Sequence, residues 1–356
     1  MTALSILIVI GLFQGAFLLL LAAFVFVRRQ VSRARKDALE AKRRGVTEPL
    51  TSWLTSGGSV EAFIAALRAL PGTSALGLTG SLARTTIPAT ERAALAVALR
   101  AEPWVADCIA GAQSRRWSRR LDAARCLALV GVPADAPQLE ALLNDSRPAV
   151  AIAAVNALPL VADESLLGLV LDRFVVLPGV VRHYLHGALR GMRTSVEPPL
   201  VARLASEASP RALARWADLA GALELQRALD QVATLAKHPD PIVRTAVAHA
   251  LRRAPNRRSA DALQRLLTDP DAGVRAVAAH ALGELGSGSA IPALLAAAHD
   301  ASWTTRYRAA LALSQLGEPG RAALRSLRAD ADRYVADMAT LIAGLSDGAL
   351  LDMVEA

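Results

Sequence analysis

Residues Pro239–Leu251 read PDPIVRTAVAHAL, and residues Pro270–Leu282 read PDAGVRAVAAHAL. Eight of the thirteen aligned positions are identical at an offset of 31 residues, among them Asp240/Asp271, Arg244/Arg275, His249/His280 and Leu251/Leu282. A period of this length marks units that cannot bury their apolar faces alone and so stack on their neighbours. Followed both ways, the register gives a leucine column of Leu127, Leu158, Leu189, Ala220, Leu251, Leu282 and Leu313. Beside it runs a small column of Ala124, Val155, His186, Ala217, Ala248, Ala279 and Ala310. A weaker arginine column reads Arg120, Ala151, Arg182, Leu213, Arg244, Arg275 and Arg306.

Within a unit the apolar residues fall at helical spacing, as in Val243, Val247, Ala250 and Leu251, and again in Leu263, Leu266 and Leu267. Each unit is therefore a pair of short helices. Ser209, Asp240, Asp271 and Ser302 share a column just before the second helix, where an oxygen side chain accepts from a free backbone N–H. Pro148, Pro210 and Pro241 occupy the next column, the first helical position, where the missing proline N–H costs nothing. The expected fold is all-α, an α-solenoid of helical hairpins.

The stretch LQRLLTDPDAGVRAVAAHALGELG, Leu263–Gly286, resembles a HEAT repeat in the short bacterial form also seen in phycocyanobilin-lyase-like repeat proteins. The resemblance covers about Arg115 to Leu345, with degenerate helical pairs running back to Val60. It implies that the Asp and Arg columns bond between neighbouring repeats as a ladder, interrupted at Ala151 and Leu213, with a less regular middle of the array. It also implies that the second helices line a concave face on which partners dock.

The amino-terminal region carries a different signal. From Ala3 to Val27, ALSILIVIGLFQGAFLLLLAAFVFV holds no charged residue. At about 1.5 Å per residue such a helix exceeds the roughly 30 Å hydrocarbon core of a bilayer. Only Met1 and Thr2 precede the run, Arg28 and Arg29 end it, and no small-residue cleavage site follows, so an uncleaved anchor is expected rather than a signal peptide. Next come Arg28, Arg29, Arg33, Arg35, Lys36, Lys42, Arg43 and Arg44 against only Asp37 and Glu40, which is six of the chain's eight net positive charges. By the positive-inside rule this places the repeats in the cytoplasm of a single-pass membrane protein. The same side chains suit contact with anionic headgroups, and the two roles coexist. Inside the span, Gly11 and Gly15 lie four apart around Gln14, a spacing that lets another membrane helix approach. The expected organisation is an anchor at 1–27, a basic juxtamembrane segment and linker at 28–59, degenerate repeats at 60–114 and the regular array at 115–356.

Composition limits the remaining chemistry. Lys36, Lys42 and Lys237 are the only lysines among 40 basic residues, so the arginine content points to a GC-rich bacterial genome more than to a ligand. Outside the juxtamembrane segment the net charge is near neutral, which argues against a nucleic-acid interface. Cys108 and Cys126 make no disulfide or metal framework and read as two small buried residues. None of the histidines His183, His186, His238, His249, His280 and His299 is followed by Glu, unlike the His-Glu metal pairs of HEAT-fold deoxyhypusine hydroxylases. His183 and His186 lack the further ligands a metal needs. No catalytic residue, cofactor, metal or small-molecule substrate is therefore assigned.

What remains is a surface. The exposed columns of the second helices hold His183, Thr245 and Tyr307; Arg125, Asn156, Asp218, His249 and His280; and Arg190 and Arg252. These residues are the expected docking face for a protein partner, itself membrane-associated, such as a membrane enzyme or a signalling complex. The chain then reads as a membrane-anchored scaffold. The competing reading is a lyase or isomerase acting on a bound chromophore, which rests on the resemblance to the lyase-like repeats alone.

Overall fold

The computed structural model describes residues 21, 24–26, 28–30, 40–41, 44–55, 59–85, 87–206 and 209–345. Among them there are helices and turns and no strand. The chain divides into two compact units, Met1–Leu142 and Leu143–Ala356. Among the described residues no helix is long and apolar enough to cross a membrane. Most of the apolar run at 3–27 lies outside the described residues, as do Gly11, Gln14, Gly15, Arg33, Arg35, Lys36, Lys42 and Arg43, whereas Arg28, Arg29 and Arg44 are exposed helical residues.

The first unit holds α1 (Val60–Leu67), α2 (Gly72–Thr85), α3 (Ala89–Arg100), α4 (Pro103–Ala110), α5 (Trp117–Val130) and α6 (Ala136–Leu143). Its core gathers Phe63, Leu67, Leu99, Val105 and Cys126. Residues 44–55, expected as linker, are instead helical and bury Val46, Leu50 and Trp53 in this core, with Trp53 stacked on Phe63 at 5.8 Å. The reason is legible in retrospect, since those three positions are spaced i, i+4 and i+7, one face of a helix. Cys126 is buried and Cys108 half-buried, and the two thiols neighbour each other in this core. That proximity, together with burial, pushes the Cys126 thiol well up.

The second unit continues with α7 (Pro148–Val155), α8 (Leu158–Val161), α9 (Glu164–Phe174), α10 (Gly179–Arg190), α11 (Arg193–Leu204), α12 (Pro210–Leu223) and α13 (Gln226–Thr234). It is completed by α14 (Pro241–Leu251), α15 (Arg257–Leu266), α16 (Ala272–Leu285), α17 (Ile291–Ala297), α18 (Trp303–Gln315), α19 (Gly317–Ser326) and α20 (Arg333–Ala343). From α10 onward the helices form two layers. The second helices α10, α12, α14, α16, α18 and α20 each pack on the next, and α11, α13 and α15 pack in order behind them, as α17 does on α19. The leucine column is the seam of this stack. Leu158, Leu189, Ala220, Leu251, Leu282 and Leu313 are each 0 % exposed, and burying a leucine side chain is worth about 1.5 to 3 kcal/mol.

The caps follow the residue chemistry. Ser209, Asp240 and Asp271 accept from the backbone N–H groups of Ala212, Ile242 and Val274. Ser302 occupies the same position without a side-chain cap bond. The expected ladder is present, but its carboxylates are not the cap column, whose oxygens already serve the helix N-termini. Arg244 donates through Nε and Nη2 to Asp269 at 2.6 and 2.8 Å, and Arg275 to Asp300 at 2.7 and 2.9 Å. Asp269 and Asp300 stand two residues ahead of the cap and 25 residues after their arginines. Where Leu213 replaces arginine, the matching acceptor position is His238, so both partners change together. The middle of the array is irregular where Pro159 opens the four-residue α8 after α7 has stopped at Val155.

Two glycines set how closely second helices approach. A Cβ on Gly221 would sit 2.7 Å from Cα of Ala250, and one on Gly283 would sit 2.8 Å from Cα of Ala312. In the 31-residue register these glycines alternate with Arg190 and Arg252. Accordingly α12 packs tightly on α14 and α16 on α18, while Arg252 intervenes between α14 and α16 and pairs with Glu284 at 2.9 Å. Gly283→Ala is expected to destabilise the array by about 1 to 3 kcal/mol, because backbone cannot yield as a flexible side chain does. Gly187→Ala, inside α10 with nothing within 4 Å of the added Cβ, is the matched control. Equal chemical denaturation midpoints for the two variants would refute this account of the packing.

Candidate partner-docking face

The face of the second helices turned away from the first-helix layer is built from recurring register positions. On α10 it presents His183, Tyr184 and Arg190, all exposed. On α12 it presents Arg211 and Asp218, exposed, and Arg215, half-buried. On and after α14 come Ile242, His249 and Arg253, exposed, with Thr245 and Arg252 half-buried. Asp218, Gly221, Ala222, His249, Arg252 and Arg253 line one shallow cavity of about 250 Å³. Three residues expected from the sequence, Asp218, His249 and Arg252, are thus brought together, with the small Gly221 leaving the space between them.

The electrostatics of this face are lopsided. Neither α10 nor α14 contains an acidic residue, and Asp218 is the only one in α12. Arg190, Arg211, Arg215 and Arg253 make no ion pair or hydrogen bond among the described residues, whereas in the other layer Arg203 pairs with Asp172 at 2.7 Å and Arg258 with Asp230 at 3.2 Å. Arg182 spends one N–H on the carbonyl of Leu177 at 2.5 Å. Burial, with Arg215 and Arg211 nearby, lowers its guanidinium from the ordinary value. Burial also depresses His186, reinforced by His183, Arg182, Arg190 and Arg253, so this imidazole is held neutral among cations. The Asp218 carboxyl moves up through desolvation, against the pull of His249, Arg215 and Arg252. His249 and His280 are both lowered, chiefly by desolvation.

The remaining expected residues fall elsewhere. His280 is half-buried on α16, with Nε2 3.6 Å from Glu284, the carboxylate that also holds Arg252. Tyr307 on α18 stacks on exposed Trp303 at 5.2 Å and 5° between planes. Asn156 caps the end of α7 and donates to the carbonyl of Ile152 at 3.4 Å. Arg125 belongs to the first unit, where it lies 3.6 Å from Asp122. His183 packs edge-on against Tyr184 and His186 tilts on Phe174, so the pair is turned to aromatic neighbours. Among the described residues no group of three His, Cys, Asp or Glu is placed to hold a metal.

Sequence reasoning missed Arg211, Arg215 and Arg253 and read Arg182 only as a ladder arginine. Following identities down each column hid them, because Arg211 shares its column with Val180 and Ile242, and Arg215 shares its column with Tyr184. A charge balance taken helix by helix would have found them.

The family model for HEAT repeats matches residues 197–283 and 260–343. No curated protein matches the chain by sequence. Among solved structures, a Kap121p mutant is similar at 11 % identity over 89 % of this chain with a TM-score of 0.54, and the chain spans 43 % of that protein. A designed armadillo repeat protein in complex with the peptide (KR)4 is similar at 18 % identity over 60 % of this chain and 99 % of that one, with a TM-score of 0.32. Human deoxyhypusine hydroxylase in complex with glycerol is similar at 20 % identity over 91 % of this chain and 98 % of that one, with a TM-score of 0.29. The first likeness shows an α-solenoid fold, and the other two are too loose in shape to add to it.

Proposed function

Starting from a chain whose residues 197–343 are HEAT repeats, we propose a membrane-anchored, non-catalytic adaptor that binds a protein partner on the second-helix face of its array. The observation that carries this reading is the cluster of Arg190, Arg211, Arg215 and Arg253 on the second-helix face, which make no ion pair or hydrogen bond among the described residues. Charged side chains held on a rigid scaffold and not used by the fold are available to a partner, and they govern which partner is accepted and how fast it arrives. A stacked array presents such a face over several units, which is what repeat architectures supply.

The anchor and the sidedness are part of the same proposal and rest on the sequence. The charge-free run at 3–27 spans the bilayer, and the basic residues after it keep the repeats on the cytoplasmic side. Confinement to a membrane raises the effective concentration of other anchored proteins, so a modest intrinsic affinity suffices. The partner is then a membrane protein with a cytoplasmic segment.

Site-specific photo-crosslinking in intact cells tests this. A photoreactive residue at Thr245 or His249 is expected to capture a discrete membrane-protein partner, whereas one at Arg265 or Arg328, outside the second-helix layer, is not. Capture only from Arg265 or Arg328 would overturn the assigned face. Recovery of the full chain in the soluble fraction after carbonate extraction would overturn the anchor.

A further inference from the structure

The docking reading leaves the chemistry of the partner open, and the second-helix face constrains it. Arg190 on α10, Arg211 and Arg215 on α12 and Arg253 just after α14 stand on successive second helices that pack in order, with Arg182, which is bonded to the carbonyl of Leu177, beside them. The basic patch is bounded. On α16 the charged residues are Arg275, committed to Asp300, and His280 and Glu284, of which Glu284 is committed to Arg252. With adjacent helices about 8 to 10 Å apart, three helices span on the order of 20 Å, which an extended peptide covers in about six residues.

Apolar side chains are interleaved with the cations. Val180, Tyr184 and Ile242 are 61 %, 50 % and 61 % exposed, and they stand in the register columns that Arg211 and Arg215 occupy on α12. A ligand for this face therefore needs carboxylates for the guanidinium groups and apolar side chains for the positions between them. A phosphate backbone supplies only the first, and Asp218 in the middle of the patch opposes a continuous polyanion.

We infer that α10, α12 and α14 dock a short acidic, amphipathic peptide segment of the partner protein. The inference rests on the docking face proposed above and adds the partner's chemistry. Arg forks bind carboxylates in pairs, and Arg190, Arg211, Arg215 and Arg253 supply such forks on this face. Asp218 beside His249 and Arg252 then selects against a carboxylate at that point of the peptide.

The test uses the full chain in an uncharged detergent and a fluorescein-labelled twelve-residue peptide of alternating Glu and Leu, followed by anisotropy. The peptide is expected to bind, its Gln-for-Glu counterpart to bind at least tenfold more weakly, and the binding to weaken steadily with added salt. Arg190→Glu, Arg215→Glu and Arg253→Glu together are expected to weaken binding at least tenfold. Arg173→Glu, Arg265→Glu and Arg328→Glu, an equal charge change outside the second-helix layer, should leave it within twofold. Should the first triple variant lose its helical circular dichroism, the Gln peptide and the salt series decide the matter on the unaltered protein. Equal binding of the Glu and Gln peptides would overturn the inference. Tighter binding of a twelve-residue oligo-dT, or of vesicles containing phosphatidylglycerol, with the same loss in the Arg190, Arg215 and Arg253 variant, would overturn it in favour of a nucleic acid or a lipid surface. Such results would leave crosslinking from Thr245 and His249 untouched, so failure here is distinct from failure of the docking face.

Discussion

Asp269→Ala is expected to destabilise the repeats around α14 and α16 by about 3 to 5 kcal/mol, because it strands a buried guanidinium. The Arg244 and Asp269 side chains are 10 % and 4 % exposed. The loss should fall toward the lower end of that range, since Arg244 keeps the carbonyls of His238 and Pro239 at 2.8 Å as acceptors. Replacing both partners, Arg244→Met with Asp269→Leu, should cost much less than Asp269→Ala, since no charge is then left buried. In a quasi-one-dimensional array the effect is local, so hydrogen exchange of α14 and α16 is the measurement to make. Undiminished protection there in Asp269→Ala would sink this account of the ladder.

The same pair fixes the sign of the acid response. Burial by itself would raise the Asp269 carboxyl, but Arg244, the backbone N–H of Asp271 and Arg275 hold it below the ordinary value. Asp300 is lowered in the same way, chiefly by Arg275. A carboxyl depressed in the folded state contributes stability that is complete above its unfolded pKa, about 3.9, and is lost as pH falls through the lower folded value. Protection of α14, α16 and α18 should therefore hold down to about pH 4 and fall below it. Asp269→Asn and Asp300→Asn should flatten that decline.

Leu282→Ala is expected to cost about 2 to 5 kcal/mol, by opening a cavity in the seam between stacked second helices. His249→Ala and His280→Ala, from the same repeated motif, should together stay near 0.5 kcal/mol each, the usual range for surface changes. His249 is exposed, and His280 is half-buried with only a 3.6 Å approach to Glu284. Denaturant midpoints of the three variants separate a duplicated surface residue from a duplicated core residue. A histidine loss as large as the leucine loss would show that these imidazoles hold the stack.

Particular residues show how far a one-dimensional reading carries. The leucine column, the proline at the first helical position and the caps at Ser209, Asp240 and Asp271 were all legible, and the structure places them as expected. Each depends on the chain a few residues away or on a strict 31-residue recurrence, and both are properties of sequence order. The helix at 44–55 was legible too, in the spacing of Val46, Leu50 and Trp53, but its short polar and glycine-rich surroundings masked it.

The sequence by itself thus determined the repeat, its helical hairpins and the residues that form the seam, because burial and capping follow from local periodicity. Only the tertiary structure decided which carboxylates complete the ladder, since Asp269 and Asp271 are the same residue type two positions apart and differ in whether a helix N-terminus has already claimed the oxygen. It also decided what the register's alternation of glycine and arginine does to helix spacing, close at Gly221 and Gly283 and spread at Arg252. The docking face came last. Arg190, Arg211, Arg215 and Arg253 lie in different columns of the register, and the packing of successive second helices sets them on one face, where Asp218 is the only acidic residue within α10, α12 and α14.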